Sequence, residues 1–165
     1  MRRPGRARAL LALALAAPLV TLPAACDGPP GPRTDAAAIA GLEHHWLDAG
    51  GLRLHYLRAG DRAGRRVLFV HGTPGDAEAW SDYLSEVPPG FEYVAVDRPG
   101  FGASGPEGPV ASLARQAAAL APLLVERGGG RTILVGHSLG GPIIAQAAAD
   151  FPARAGPLVI VAGSL

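Results

Sequence analysis

Hydrophobic positions in this chain fall into short runs whose spacing changes from period two to helical period and back. Leu52, Leu54 and Tyr56 alternate with Arg53, His55 and Leu57, the pattern of a strand with one buried face. With residues 45–49 across Gly50-Gly51, they predict an antiparallel hairpin. Arg66-Val67-Leu68-Phe69-Val70 is a continuous apolar run and reads as a fully buried strand. A helical pattern follows over 76–87, then a strand over 91–96. Val110, Leu113, Ala117, Leu120 and Leu124 share one helical face, predicting a helix over 110–126 that Pro122 kinks or ends and Gly128-Gly129-Gly130 stops. Residues 131–135 predict a buried strand, 142–150 a helix, and 156–162 a final buried strand.

A hairpin followed by alternating strands and helices predicts an α/β domain. Its sheet is mostly parallel and doubly wound, with helices on both faces and right-handed crossovers. At 165 residues the chain suffices for one domain with a core, and 48% apolar against 18% charged residues is a globular balance. All 15 basic residues are arginine, and they are scattered. No basic stripe points to nucleic acid.

The first residues belong to another class. Arg2, Arg3, Arg6 and Arg8 precede an apolar stretch over 9–22 that Pro18 interrupts, and small residues lead to Cys26. Residues 1–25 are therefore expected to be a signal peptide. Cys26, the single cysteine, stands where a bacterial lipobox would place its lipidated residue, although Pro23 departs from that pattern. Removing 1–25 leaves eleven arginines against fourteen acids, net −3. Residues 26–42 begin with Asp-Gly-Pro-Pro-Gly-Pro-Arg and read as a Pro/Gly tether. These readings imply export, with a membrane-anchored lipoprotein or a secreted or periplasmic protein as outcomes.

The chemistry concentrates in three segments. Gly136-His137-Ser138-Leu139-Gly140-Gly141 lies between a predicted strand and a predicted helix, the context of a nucleophile elbow. So tight a turn strains the serine backbone, and Gly136 and Gly140 must lack side chains because they nearly touch. His71-Gly72-Thr73-Pro74-Gly75 follows the 66–70 strand. Asp97-Arg98-Pro99-Gly100-Phe101-Gly102-Ala103-Ser104 follows the 91–96 strand. In this order and spacing, the three segments resemble the α/β-hydrolase superfamily over residues 43–165.

That resemblance implies a serine hydrolase of ester-like or amide-like acyl bonds, needing no cofactor, with a small acyl compound as substrate. Ser138 would be the nucleophile. The backbone N–H groups of Thr73 and Leu139 would meet the oxyanion. His71 and His137 are read as structural parts of the motifs, as are Gly72, Gly136 and Gly140. Asp97 is expected to fix its loop with Arg98. His44, His45 and His55 are expected on the surface of the hairpin. Trp80 is either helix core or pocket lining. No cluster has metal-ligand spacing. Serine at the nucleophile position argues against the family's dehalogenases and epoxide hydrolases, which use aspartate there.

Members of the superfamily run serine, acid, histidine along the chain, and here no histidine follows His137. The chain is therefore expected to be the front part of a longer hydrolase. The triad acid, the histidine and the cap would lie beyond Leu165, and the apolar 158–161 edge would stand exposed. Alone it would keep only the residual catalysis of an oxyanion hole. The competing readings are another reaction of the same fold (acyl transfer, C–C bond hydrolysis, haloperoxidase chemistry or N-terminal proline release) and a non-catalytic lipoprotein binding module.

Overall fold

The computed structural model describes residues 42–163 apart from 107, 109 and 111. The expected signal over 1–25, Cys26 and the tether up to residue 41 lie outside the described residues. Strands β1 (Glu43–Ala49) and β2 (Leu52–Gly60) form the predicted hairpin. β3 (Arg65–Val70), β4 (Phe91–Val96), β6 (Gly130–His137) and β7 (Ala155–Val161) follow, with a two-residue β5 (Glu126–Arg127). The order across the sheet is β1-β2-β4-β3-β6, and both β7 and β5 pair with β6. The β4–β3, β3–β6 and β6–β7 ladders are parallel, while the β2–β4 ladder is antiparallel. This is the α/β sheet that the chain's alternation implied.

Each central strand feeds two cores. In β3, Leu68 and Val70 face one side and Val67 and Phe69 the other, the period-two consequence of a pleated backbone. The larger core packs Leu68, Val70, Val96 and Leu134 against Ala117 and Leu120 of one helical segment and Ile143, Ile144 and Ala147 of another. Those segments are α2 (Leu113–Ala119), with Leu120 as its C-cap, and α3 (Gly140–Asp150). The smaller core packs Leu57, Val67, Phe69 and Ala95 against Ala77, Trp80 and Leu84. The last three come from a 3₁₀ turn (Ala77–Trp80) and α1 (Ser81–Ser85). Phe69, Trp80, Tyr83 and Tyr93 pack there in tilted and edge-to-face contacts, with ring centroids 5.0–5.9 Å apart.

Several expectations are corrected. The 76–87 helix is a 3₁₀ turn followed by only five α-helical residues. The 110–126 helix stops at Ala119, and Pro122 sits in a separate 3₁₀ turn, Ala121–Leu123, because proline cannot donate to a continuing ladder. The triple glycine does not end a helix. Gly128 and Gly129 take positive φ (57° and 81°) and turn β5 back onto β6. β2 buries both faces, since Leu54 enters the larger core and Leu57 the smaller. The final strand is not buried: Leu158, Val159 and Val161 are 39–47% exposed, as the expectation of an open edge required.

Charge holds the end of the sheet remote from the motifs. Glu92, second in β4, is fully buried. It meets Arg66 Nε at 2.7 Å, Arg127 Nη1 at 3.4 Å and Arg58 Nη1 at 3.6 Å. Arg66 also donates to the Leu123 carbonyl at 3.0 Å, tying the sheet to the turn after α2. Removing the carboxylate leaves the buried Arg66 guanidinium without a counter-charge, whereas Arg58 keeps its pair with Glu43. Glu92→Ala is expected to lower stability in urea unfolding by about 3–5 kcal/mol. A loss below about 1 kcal/mol would show that the arginines simply turn to solvent.

Candidate active site

Ser138 lies between the end of β6 and the start of α3. Its φ is +50°, in the left-handed region. Among the described residues other than glycine, only Ala162 shares this conformation (φ 47°), and such backbone costs a side-chain-bearing residue about 1–2 kcal/mol. The bend is closed by bonds on both sides of the serine. Its N–H donates to Val161 O and its carbonyl accepts from Gly141 N–H, both at 2.9 Å. A Cβ on Gly136 would come within 2.5 Å of the Gly140 carbonyl oxygen, and one on Gly140 would collide with the Val70 carbonyl. The two glycines are thus required by close packing at the turn and against β3, as the spacing suggested.

β3 pairs with β6 in parallel, so both strands deliver their carboxyl ends to the same edge. There His71-Gly72-Thr73 passes beside the elbow. A Cβ on Gly72 would lie 2.8 Å from Ser138 Cβ and 3.0 Å from His137 Nδ1, so only glycine fits. Leu139 is the N-cap of α3 and makes no side-chain cap. The positive end of the helix is therefore left for another acceptor. Among the described residues, neither the Thr73 nor the Leu139 N–H donates a loop or cap hydrogen bond.

A cavity of about 360 Å³ opens here. Pro74, Ala79, Trp80 and Tyr83 form its apolar wall, and His71, Gly72, His137 and Val161 border it towards the elbow. Trp80 therefore does both things the sequence left open: its ring is core and it lines the cavity. His137, the elbow residue before Ser138, is exposed at the rim.

His71 is buried and fully committed. Its Nε2 accepts the Arg98 backbone N–H at 3.0 Å, so the ring proton is on Nδ1, which donates to Gly72 O at 2.8 Å. The 3.5 Å approach of Arg98 Nε to the same Nδ1 then brings two donors together and is not a bond. Burial pushes the His71 pKa below its ordinary value. With both nitrogens engaged, His71 has no lone pair left to take a proton from Ser138.

Arg98 does more than brace its own loop. It is fully buried. Nη2 donates to Gly72 O at 2.8 Å and to Thr73 Oγ1 at 2.6 Å, and Nη1 donates to Gln116 Oε1 at 2.8 Å. The guanidinium also stacks 4.3 Å from the Phe101 ring centroid. Burial lowers its pKa to about 10, which still leaves it charged at neutral pH. Asp97 fixes the loop after β4, as expected, but through other partners. Its carboxylate accepts from Ala77 N (2.6 Å), Ala103 N (2.7 Å) and His55 Nδ1 (2.8 Å).

His55 is thus no surface residue. It is buried, with its Nε2 3.0 Å from His44 Nδ1. Ser104 Oγ closes the loop by donating to Asp97 O and accepting from His55 N. One signal for this network was present: two charged residues, Asp97 and Arg98, directly follow a buried run and must find partners.

The alpha/beta hydrolase family model matches residues 67–165, and the chain belongs to this family. Three curated relatives illustrate its range. The dihydrolipoyllysine-residue acetyltransferase component of the acetoin cleaving system of Cupriavidus necator is 37% identical over 70% of this chain and 30% of its own length. Pimeloyl-[acyl-carrier protein] methyl ester esterase of Edwardsiella ictaluri is 34% identical over 62% and 38%. Epoxide hydrolase 3 of Xenopus tropicalis is 33% identical over 56% and 26%. Among solved structures, a bacterial membrane phospholipase A superposes with a TM-score of 0.66 at 29% identity, over 76% of this chain and 41% of that one. The chain thus spans well under half the length of these relatives.

Two outcomes test this geometry. Because strain is stored at position 138, Ser138→Gly is expected to unfold at higher denaturant than Ser138→Ala, by about 1 kcal/mol. Equal midpoints would mean that the bend is not strained. The second outcome concerns pH. The His71 pKa is lowered on folding, so the unfolded chain binds the extra proton once the pH falls below about 6.5. His71 therefore contributes its stability above that pH and loses it on acidification towards the folded-state pKa. The decline between pH 6.5 and 5 is expected to be shallower in His71→Asn than in the parent. Parallel curves would contradict a neutral buried His71.

Proposed function

We propose that this protein is a serine hydrolase of ester-like or amide-like acyl bonds, with Ser138 as nucleophile. The observation that carries the reading is the left-handed Ser138 backbone at the amino end of α3, with Gly72 packed against the Ser138 Cβ. Ser138 Oγ attacks the acyl carbon, and the carbonyl oxygen becomes an oxyanion. Thr73 and Leu139 N–H are the donors that meet it, and neither spends its hydrogen on a loop or cap bond among the described residues. The apolar wall of Pro74, Ala79, Trp80 and Tyr83 suits a small apolar acyl or alkyl group.

The proton acceptor for Ser138 is not His71, whose nitrogens are both bonded. We assign it, with the triad acid, to chain following the elbow in the whole protein. Serine at 138 favours acyl chemistry over epoxide opening, which in this family runs through an aspartate at the same place. Residues 1–26 support export, with Cys26 as the candidate lipid-attachment site.

The test is labelling with a fluorophosphonate probe followed by peptide mass spectrometry, alongside p-nitrophenyl ester turnover. Label on Ser138, with label and turnover both lost in Ser138→Ala, is the expected result. Residual catalysis alone amounts to roughly 10³–10⁴-fold over water when the base is absent, so a slow reaction still counts if it maps to Ser138. No adduct at Ser138, or turnover that survives the substitution, would overturn the reading.

A further inference from the structure

We infer that Arg98 is a positioning residue for the oxyanion donor at Thr73. The inference rests on the serine-hydrolase reading and adds to it the means by which the Thr73 amide is aimed and polarised. The Gly72 carbonyl and the Thr73 N–H belong to one peptide unit. That unit is trans, so its C=O and N–H point in opposite directions. Whatever fixes the oxygen fixes the hydrogen.

The oxygen is fixed from two sides. His71 Nδ1 donates to it at 2.8 Å and Arg98 Nη2 at 2.8 Å, which fills both lone pairs. The same Nη2 also holds Thr73 Oγ1 at 2.6 Å, so the loop is gripped on both sides of the peptide's nitrogen. The guanidinium cannot drift, since Nη1 is bonded to Gln116 Oε1, and Gln116 Nε2 in turn donates to Val110 O at 2.6 Å. Phe101 covers its face. With its oxygen held on the buried side, the peptide turns its N–H away from Arg98.

The charge does a second thing. A hydrogen bond from a guanidinium to a carbonyl polarises the amide and makes its N–H a stronger donor. Among the described residues no carboxylate hydrogen-bonds to the Arg98 side chain, whose acceptors are the neutral Gln116 Oε1, Gly72 O and Thr73 Oγ1. Its hydrogen bond therefore places positive charge directly against the Gly72–Thr73 peptide. An oxyanion would sit at the far end of that dipole. Lysine keeps the charge but loses the planar fork that reaches Gly72, Thr73 and Gln116 together.

The experiment compares the parent protein with Arg98→Lys and Thr73→Val. It records the amide proton shift at position 73 and, separately, kinact and KI for a fluorophosphonate, from whose phosphorus Ser138 Oγ displaces fluoride. In Arg98→Lys the position-73 amide proton is expected to move upfield. kinact per folded molecule should fall about tenfold, less than the loss of a whole donor, while KI and the Leu139 amide stay unchanged. A merely structural role would lower the melting temperature without splitting kinact from KI. If Arg98→Lys does not fold, Thr73→Val decides, since it removes only the exposed hydroxyl grip and should shift both readouts the same way by a smaller factor. A folded variant whose position-73 amide and kinact match the parent overturns the inference. Failure of the parent to label at Ser138 removes the serine reading instead, while the amide shift still reports whether Arg98 sets the peptide.

Discussion

The parallel pairing of β3 with β6 is the constraint from which the site follows. Two neighbouring parallel strands end at one edge, so the turn after each must share the same small volume. Val70 pairs with Gly136 in the last step of that ladder. Beyond it, three backbone segments converge: the Val70 carbonyl against Gly140, Gly140 against Gly136, and Gly72 against Ser138. No side chain fits in any of these gaps. The glycines let the helix start, the turn at Ser138 and the loop after β3 close on one another, and Ser138 absorbs the remaining bend in its own φ.

Energy is distributed unevenly in this arrangement. The strands and α3 meet through fully buried aliphatic residues such as Leu68, Val70, Leu134, Ile143 and Ile144, each contributing roughly 1.5–3 kcal/mol on burial. The site draws on that reserve. It holds a left-handed serine, an uncapped helix start and a buried guanidinium bonded to neutral acceptors. Each is unfavourable alone and persists because the surrounding core over-determines it. The buried charges at Glu92 and Arg98 differ in kind. Glu92 with its arginines pins the amino ends of β3 and β4, whereas Arg98 carries its charge to their carboxyl ends, beside Gly72 and Thr73.

Most of the sheet was legible in the sequence because buried strands announce themselves as apolar, β-branched-rich runs, as at 67–70, 93–96 and 133–135. The elbow was legible because a strand, a glycine-flanked serine and a helix occur in the only order that makes it. The short helices were over-read. In an alanine-rich stretch, apolar residues recur at helical spacing whether or not the helix continues, and the true limits were set by Pro122 and by the β5–β6 hairpin. The polar frame of the site was the least visible part. Arg98 reaches partners 18 to 27 residues away in sequence, and His55 reaches Asp97 across 42. No local pattern encodes those distances, and a histidine in an alternating strand looks like an outward-facing residue until the neighbouring loop folds over it.

The central claim is that the bent Ser138 faces a preformed pair of amides. It is tested most directly by the crystal structure of the protein phosphonylated on Ser138. The account predicts the phosphonyl oxygen about 2.7–3.1 Å from both the Thr73 and Leu139 nitrogens, with Gly72 O still held by His71 and Arg98. An adduct whose oxygen turns to solvent, or a Gly72–Thr73 peptide flipped to point its carbonyl at the adduct, would contradict it.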